Sequence, residues 1–125
     1  MTTLSTATRT ALANALANLV DAGAAAGEFR IYTTGFATLL CTAVCPDPAF
    51  DPAVAGVCAL AAPITGAAVV ASGTAAVFRL VDSDGNVVLE GTVGTSGADL
   101  VFPSLAWTAG DLIDLSAYTL TVPAS

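Results

Sequence analysis

"FRLVDSDGNVVLEGTVG", residues 78–94, decides how this chain folds, because its centre reads either as an ion-binding loop or as a turn between strands. Asp82, Asp84 and Asn86 bring oxygen-bearing side chains close together along the chain. A calcium loop of the EF-hand type spaces such residues as D-x-[DN]-x-[DN]-G and closes with a glutamate six residues after its glycine. Here Gly85 follows Asp84 directly, too early for that pattern. Asp-Gly is instead a favoured pair for a two-residue type I′ turn. With Asp84-Gly85 as the turn, Ser83 faces Asn86, Val81 faces Val88 and Leu80 faces Leu89. Arg79 then meets Glu90, a cross-strand pair worth on the order of a few tenths of a kcal/mol. Phe78 lands opposite Gly91, where its ring can cover bare backbone. A slip of one residue breaks every match at once, so the stretch is a hairpin of defined register.

Working outward, other strands take the same form. "EFRIYTT" (28–34) alternates Phe29 and Ile31 against Arg30 and Tyr32, as in a half-buried strand. "TLLCTAVC" (38–45) is a second strand, stopped by "PDPAFDP" (46–52), where three prolines forbid regular structure. Phe50 inside that loop is a candidate contact residue. "GVCALAA" (56–62) reads as a third strand ending at Pro63. Beyond the hairpin, Gly91, Gly94 and Gly97 lack the spacing and strand-to-helix context of a dinucleotide site. "DLVF" (99–102) is a short strand, "TAGD" (108–111) a turn and "LIDLSAYTLTVP" (112–123) the last strand. In it Ile113 and Leu115 share one parity while Tyr118, Leu120 and Val122 take the other. That flip near Ser116-Ala117 predicts a bulge or a crossing between sheets. Short strands with regular turns predict a mainly β fold, a sandwich or jelly-roll-like barrel of antiparallel strands.

The only helical pattern is "RTALANALANLVDAG" (9–23), where Leu12, Leu16, Leu19 and Val20 form one stripe and Asn14, Asn18 and Asp21 lie almost opposite. This predicts an amphipathic helix over 7–22 with Gly23 as a left-handed cap, ahead of a β-domain over 28–125. The two form one domain, 1–125. The stripe requires cover, either from its own β-domain or from a neighbouring copy or another protein. Leu12, Leu16, Leu19 and Phe50 are therefore the candidate interface residues.

Composition narrows the function classes. Hydrophobic residues make up 55% and charged residues 10%, against about 25% charged in typical domains. So little charge argues that part of the surface is covered by other copies or a partner. Ten acids oppose three arginines (Arg9, Arg30, Arg79), with no lysine and no histidine. That balance argues against nucleic acid, and a Walker phosphate loop lacks its lysine. The commonest general base and metal ligand is missing too. Residues 52–78 carry no charge, but their glycines and Pro63 suit strands joined by small turns better than a spanning helix. Residues 1–8 show no basic start of a secretory leader.

Cys41, Cys45 and Cys58 are too few for a four-ligand zinc site. In an extended strand Cys41 and Cys45 lie about 13 Å apart, beyond disulfide reach, though either could meet Cys58 across a hairpin. Buried free thiols are the expectation, with synthesis in a reducing compartment. Asp111 with Asp114, or Asp47 with Asp51, could form a hydrolytic carboxylate pair, but both read more simply as solvated turn residues. No catalytic, cofactor or metal residue is expected.

"ASGTAAVFRLVDSDGNVVLEGTVGTSGADLVFPS" (71–104), "GDLIDLSAYTLTVP" (110–123) and "ALANLVDAGAAAGEFRIYTTG" (15–35) together resemble small virion proteins of tailed bacteriophages. Cys41, Cys45 and the proline loop depart from that likeness. The resemblance implies a structural protein of the virion, with a capsid decoration or cement protein favoured. Such a protein binds the major capsid protein lattice as a homo-oligomer, commonly a trimer. A tail, fibre or baseplate component, or a non-viral secreted β-module, is the alternative.

Overall fold

The computed structural model describes residues 3–122. In chain order its elements are α1 (Thr6–Val20), β1 (Glu28–Tyr32), β2 (Leu39–Val44), β3 (Val57–Ala59), β4 (Ile64–Ala68), β5 (Gly73–Thr74), β6 (Val77–Val81), β7 (Val87–Gly94), β8 (Leu100–Val101), β9 (Ala106–Trp107), β10 (Leu112–Leu115) and β11 (Thr119–Thr121). The fold is mainly β with one N-terminal helix, its sheets curled into a sandwich- or barrel-like arrangement.

The alternation of Phe29 and Ile31 against Arg30 and Tyr32 explains the central five-stranded sheet, ordered β2-β1-β6-β7-β8. Across it Ala43, Phe29, Leu80 and Leu89 stand in one row, and Cys41, Ile31, Phe78 and Gly91 in the next. Phe29, Ile31, Phe78 and Leu80 have no exposed surface and form the floor of the core. Phe78 lies over Gly91 so closely that a Cβ there would sit 2.5 Å from its ring. The opposite face carries Arg30 directly across from Arg79. Like charges so placed repel, and each is offset by its own acid. Arg30 Nη2 lies 3.0 Å from Glu28 Oε1, and Arg79 Nε 2.6 Å from Glu90 Oε2. β8 joins β7 in parallel, the one departure from the antiparallel expectation among the described strands.

The hairpin has the expected register from Phe78 to Leu80, including Arg79 opposite Glu90. Nearer the turn it differs. Val81 pairs with Val87 rather than Val88, across a register shift. The loop is Ser83-Asp84-Gly85, closed by the Gly85 N–H donating to the Asp82 carbonyl (3.1 Å) and the Asp82 N–H to the Asn86 carbonyl (3.0 Å). Gly85, at φ +85°, is the only left-handed residue in it, as in a three-residue loop and not a type I′ turn. The cause is Asp82. Its Oδ1 accepts from the N–H groups of Asp84 and Asn86, both at 2.9 Å, and its Oδ2 accepts from Asn86 Nδ2 at 3.1 Å. Both carboxylate oxygens of Asp82 are thus occupied by the turn itself.

The remaining strands form two-stranded pairs: β10 with β4, β11 with β3 and β5 with β9. β10 and β11 belong to different pairs, so the parity flip near Ser116-Ala117 is a crossing between sheets. The expected last strand is split there, and its Pro123 lies outside the described residues. The uncharged stretch 52–78 supplies β3, β4, β5 and the start of β6. No helix among the described residues is long and apolar enough to cross a membrane.

α1 starts at Ser5, whose Oγ accepts from the Thr8 N–H at 3.1 Å, and packs on β3, β7 and β11. It ends at Val20, short of the expected residue 22, and Gly23 is not left-handed. Gly23 is needed for another reason: a Cβ there would collide with the Ser83 side chain.

Cys41, Cys45 and Cys58 are free and buried. Burial lifts the Cys41 thiol from its ordinary 9.0 to about 11. Burial, with the charges of Asp21 and Glu28, lifts Cys45 to about 12. Burial and then Asp99 raise Tyr118 from 10.0 to about 12. These groups hold their protons more tightly when folded, so their stabilisation is complete below pH 9 and is lost as pH rises towards 11–12. Asp82 moves the other way, held below its ordinary 3.8 first by the Asn86 N–H and then by the Asn86 side chain. Its contribution is present above 3.8 and is lost as pH falls through its depressed value. Urea midpoints measured across pH should therefore hold level between about pH 5 and 9 and fall on both sides. Midpoints unchanged at pH 11 would contradict the burial of these groups.

Candidate interaction surface

The proline loop that follows β2 determines which side of α1 faces inward. The prolines keep residues 46–52 out of a regular strand, and although Phe50 bridges to Leu60 and the Asp51 N–H donates to the Ala59 carbonyl, other N–H groups between β2 and β3 need acceptors elsewhere. α1 supplies three. Asp21 Oδ1 accepts from the Ala49 N–H (3.1 Å), Asn14 Oδ1 from the Ala53 N–H (2.9 Å) and Thr10 Oγ1 from the Gly56 N–H (3.1 Å). At 100° per residue Thr10, Asn14 and Asp21 share a side with Ala13, Ala17 and Val20, which are the buried residues of the helix. Small alanines there let the helix approach closely.

The leucine stripe consequently faces the other way. Leu12 is 43% exposed and Leu19 53% exposed. Only Leu16, at the edge, packs partly against the core. Of the two covers open to the stripe, the β-domain takes Val20 and part of Leu16, while Leu12 and Leu19 stay on the surface. Phe50, by contrast, is corrected. It is 5% exposed, bridges to Leu60 and has its ring 6.1 Å from that of Tyr118, so it is a core residue and not a contact surface. The loop folds back on itself to place it there.

The outward side of α1 is thus apolar and nearly uncharged. Its exposed positions include Thr8, Ala11, Leu12, Ala15, Asn18 and Leu19, and Arg9 is the single charged residue in Thr6–Val20. A helix that is apolar on its solvent side is a candidate for burial by something else.

Elsewhere Val54, Leu112 and Val70 are also exposed, at 75%, 69% and 64%. A cleft of about 520 Å³ is lined by Phe102, Trp107, Asp111 and Asp114, among others. Its carboxylates are engaged in the fold. Asp111 Oδ2 accepts from the Thr108 N–H at 2.9 Å, and Asp114 Oδ1 from the Gly66 N–H at 2.8 Å. Trp107 donates its Nε1–H to the Ser104 carbonyl at 2.8 Å and is itself buried. Asp47 and Asp51 stand exposed in the proline loop. Among the described residues no group of three or more His, Cys, Asp or Glu is placed to hold a metal ion.

One cluster had no signal in the sequence. Phe36, in the left-handed region at φ 58°, lies 4.0 Å from the Arg79 guanidinium and packs edge-on against Tyr32. Only the preceding Gly35, also left-handed, hints at so sharp a bend.

Comparison with protein-family models, with curated proteins and with solved structures returns no match.

The two sides of α1 should respond differently to substitution. Ala17→Leu overfills the docked side and should destabilise the fold by about 1–3 kcal/mol. Leu19→Asp, on the outward side, should change it by less than about 0.5 kcal/mol. Chemical denaturation of both variants checks this, and the reverse order would mean that the leucines face the core.

Proposed function

We propose that this chain is a structural protein of a tailed-bacteriophage particle, a decoration protein that seats on the major capsid protein lattice and stabilises the head. The sequence resemblance supplies the particle. The observation that supports a structural role is the apolar, nearly uncharged outward side of α1, on a chain of net charge −7 that has no lysine. Such a side suits a subunit of an assembly better than a free monomer. By the same resemblance the unit is a homo-oligomer, a trimer, and its place is the capsid surface.

The cations favour a protein partner over nucleic acid. Arg30 and Arg79 each carry their own glutamate, so neither offers an open charge to a phosphate backbone. The carboxylates of the cleft serve the fold, which supports a role without catalysis.

Heads lacking the chain, mixed with purified protein, provide the test. Saturable binding at a fixed number of copies per head is expected, and it should survive about 1 M salt, because charge contributes little to apolar docking. Copies found only on tails would move the protein to the other end of the particle. No binding to either would contradict the structural role.

A further inference from the structure

β10 has a neighbour on one side only. It pairs with β4 in a two-stranded ladder, and no described strand lies along its other edge. The Val69 N–H donates to the Asp111 carbonyl and Ile113 stands opposite Ala67, so the odd-numbered residues turn their backbone groups to β4. By the alternation of an antiparallel strand, Leu112 and Asp114 turn theirs away from it. Among the described residues neither bonds through its backbone to any segment beyond β4.

The cleft of about 520 Å³ runs along this open edge. Asp111, Leu112, Ile113 and Asp114 line it in unbroken succession, no residue of β4 does, and the rest of its lining comes from within residues 102–107. Its volume lies within the range of about 300–1,000 Å³ that bound ligands fill. An unpaired edge beside a cleft is the geometry in which an extended peptide adds a strand.

Charge and apolarity describe the strand that fits. Asp111 spends Oδ2 and Asp114 spends Oδ1 on the fold, and the second oxygen of each accepts no hydrogen bond among the described residues. Among those residues no cation pairs with either: Arg30 and Arg79 hold Glu28 and Glu90, and Arg9 lies on α1. Between the two carboxylates Leu112 is 69% exposed. A second copy presenting the same edge would set carboxylate against carboxylate, which is destabilising. A strand from another protein, with basic residues at the two ends and apolar ones between, matches both features.

We propose that the open edge of β10 is a strand-addition site for an extended segment of a different protein, one that carries Lys or Arg three positions apart around apolar residues. The site is separate from the outward side of α1 and does not rest on the virion reading.

An NMR titration of the isotope-labelled full chain with the capped peptide Thr-Lys-Val-Val-Lys-Thr, whose sequence is the same in either strand direction, tests it. The amides of Leu112 and Asp114 should shift and gain protection from exchange. Replacing both lysines by glutamate, or both valines by proline to remove ladder donors, should weaken binding by on the order of tenfold or more. Asp111→Asn combined with Asp114→Asn should weaken the lysine peptide similarly, while each keeps the oxygen that the Thr108 or Gly66 N–H uses. No shift at millimolar peptide, equal binding of either control peptide, or shifts centred on another surface would overturn the proposal.

Discussion

Three hydrogen bonds between α1 and the proline loop orient the rest of the molecule. The N–H groups of Ala49, Ala53 and Gly56 donate to Asp21, Asn14 and Thr10. Each bond contributes only about 0.5–1.5 kcal/mol net, but a buried donor left without a partner costs about 1–3 kcal/mol. Turning α1 to bury Leu12 and Leu19 would strand all three donors and set leucines against a loop that needs acceptors. The helix therefore docks by its small and polar side, and its leucines become surface. That inversion is the origin of the candidate interface.

The loop is tied to the sheet through Tyr118. This residue sits in the crossing between β10 and β11, with ring centroids 5.3 Å from Phe29, 5.9 Å from Phe78 and 6.1 Å from Phe50. It joins the floor of the five-stranded sheet to the loop that anchors α1. Phe78 holds its place partly because Gly91 leaves room for its ring. The opening hairpin, the crossing and the proline loop thus share one core, and α1 closes over its edge.

What could be read from the sequence follows from how local the causes are. The hairpin register from Phe78 to Leu80 was legible because charge, size and a glycine all matched across the turn. The turn itself was not, because the Asp82 side chain offers its backbone neighbours an alternative that dipeptide preference does not count. The parity flip at Ser116-Ala117 marked a real crossing. α1 was visible as a helix, but its inward side was not, since leucine spacing measures apolarity and not the unmet donors of a loop 28 to 46 residues away. Phe50 was misplaced for the same reason. β5 and β9 are two residues each, too short to carry a period. Of the four candidate interface residues, Leu12 and Leu19 are exposed, Leu16 is half-covered and Phe50 is buried.

Amide hydrogen exchange at Ala49, Ala53 and Gly56 measures the docking of α1 most directly. All three amides should be protected in the native chain, and Asn14→Ala should release Ala53 first, with the sheet amides of β1 and β6 unaffected. Unprotected exchange at these three positions in the native chain, alongside protection of the Leu12 and Leu19 methyls from a soluble paramagnetic probe, would contradict the inverted docking of the helix.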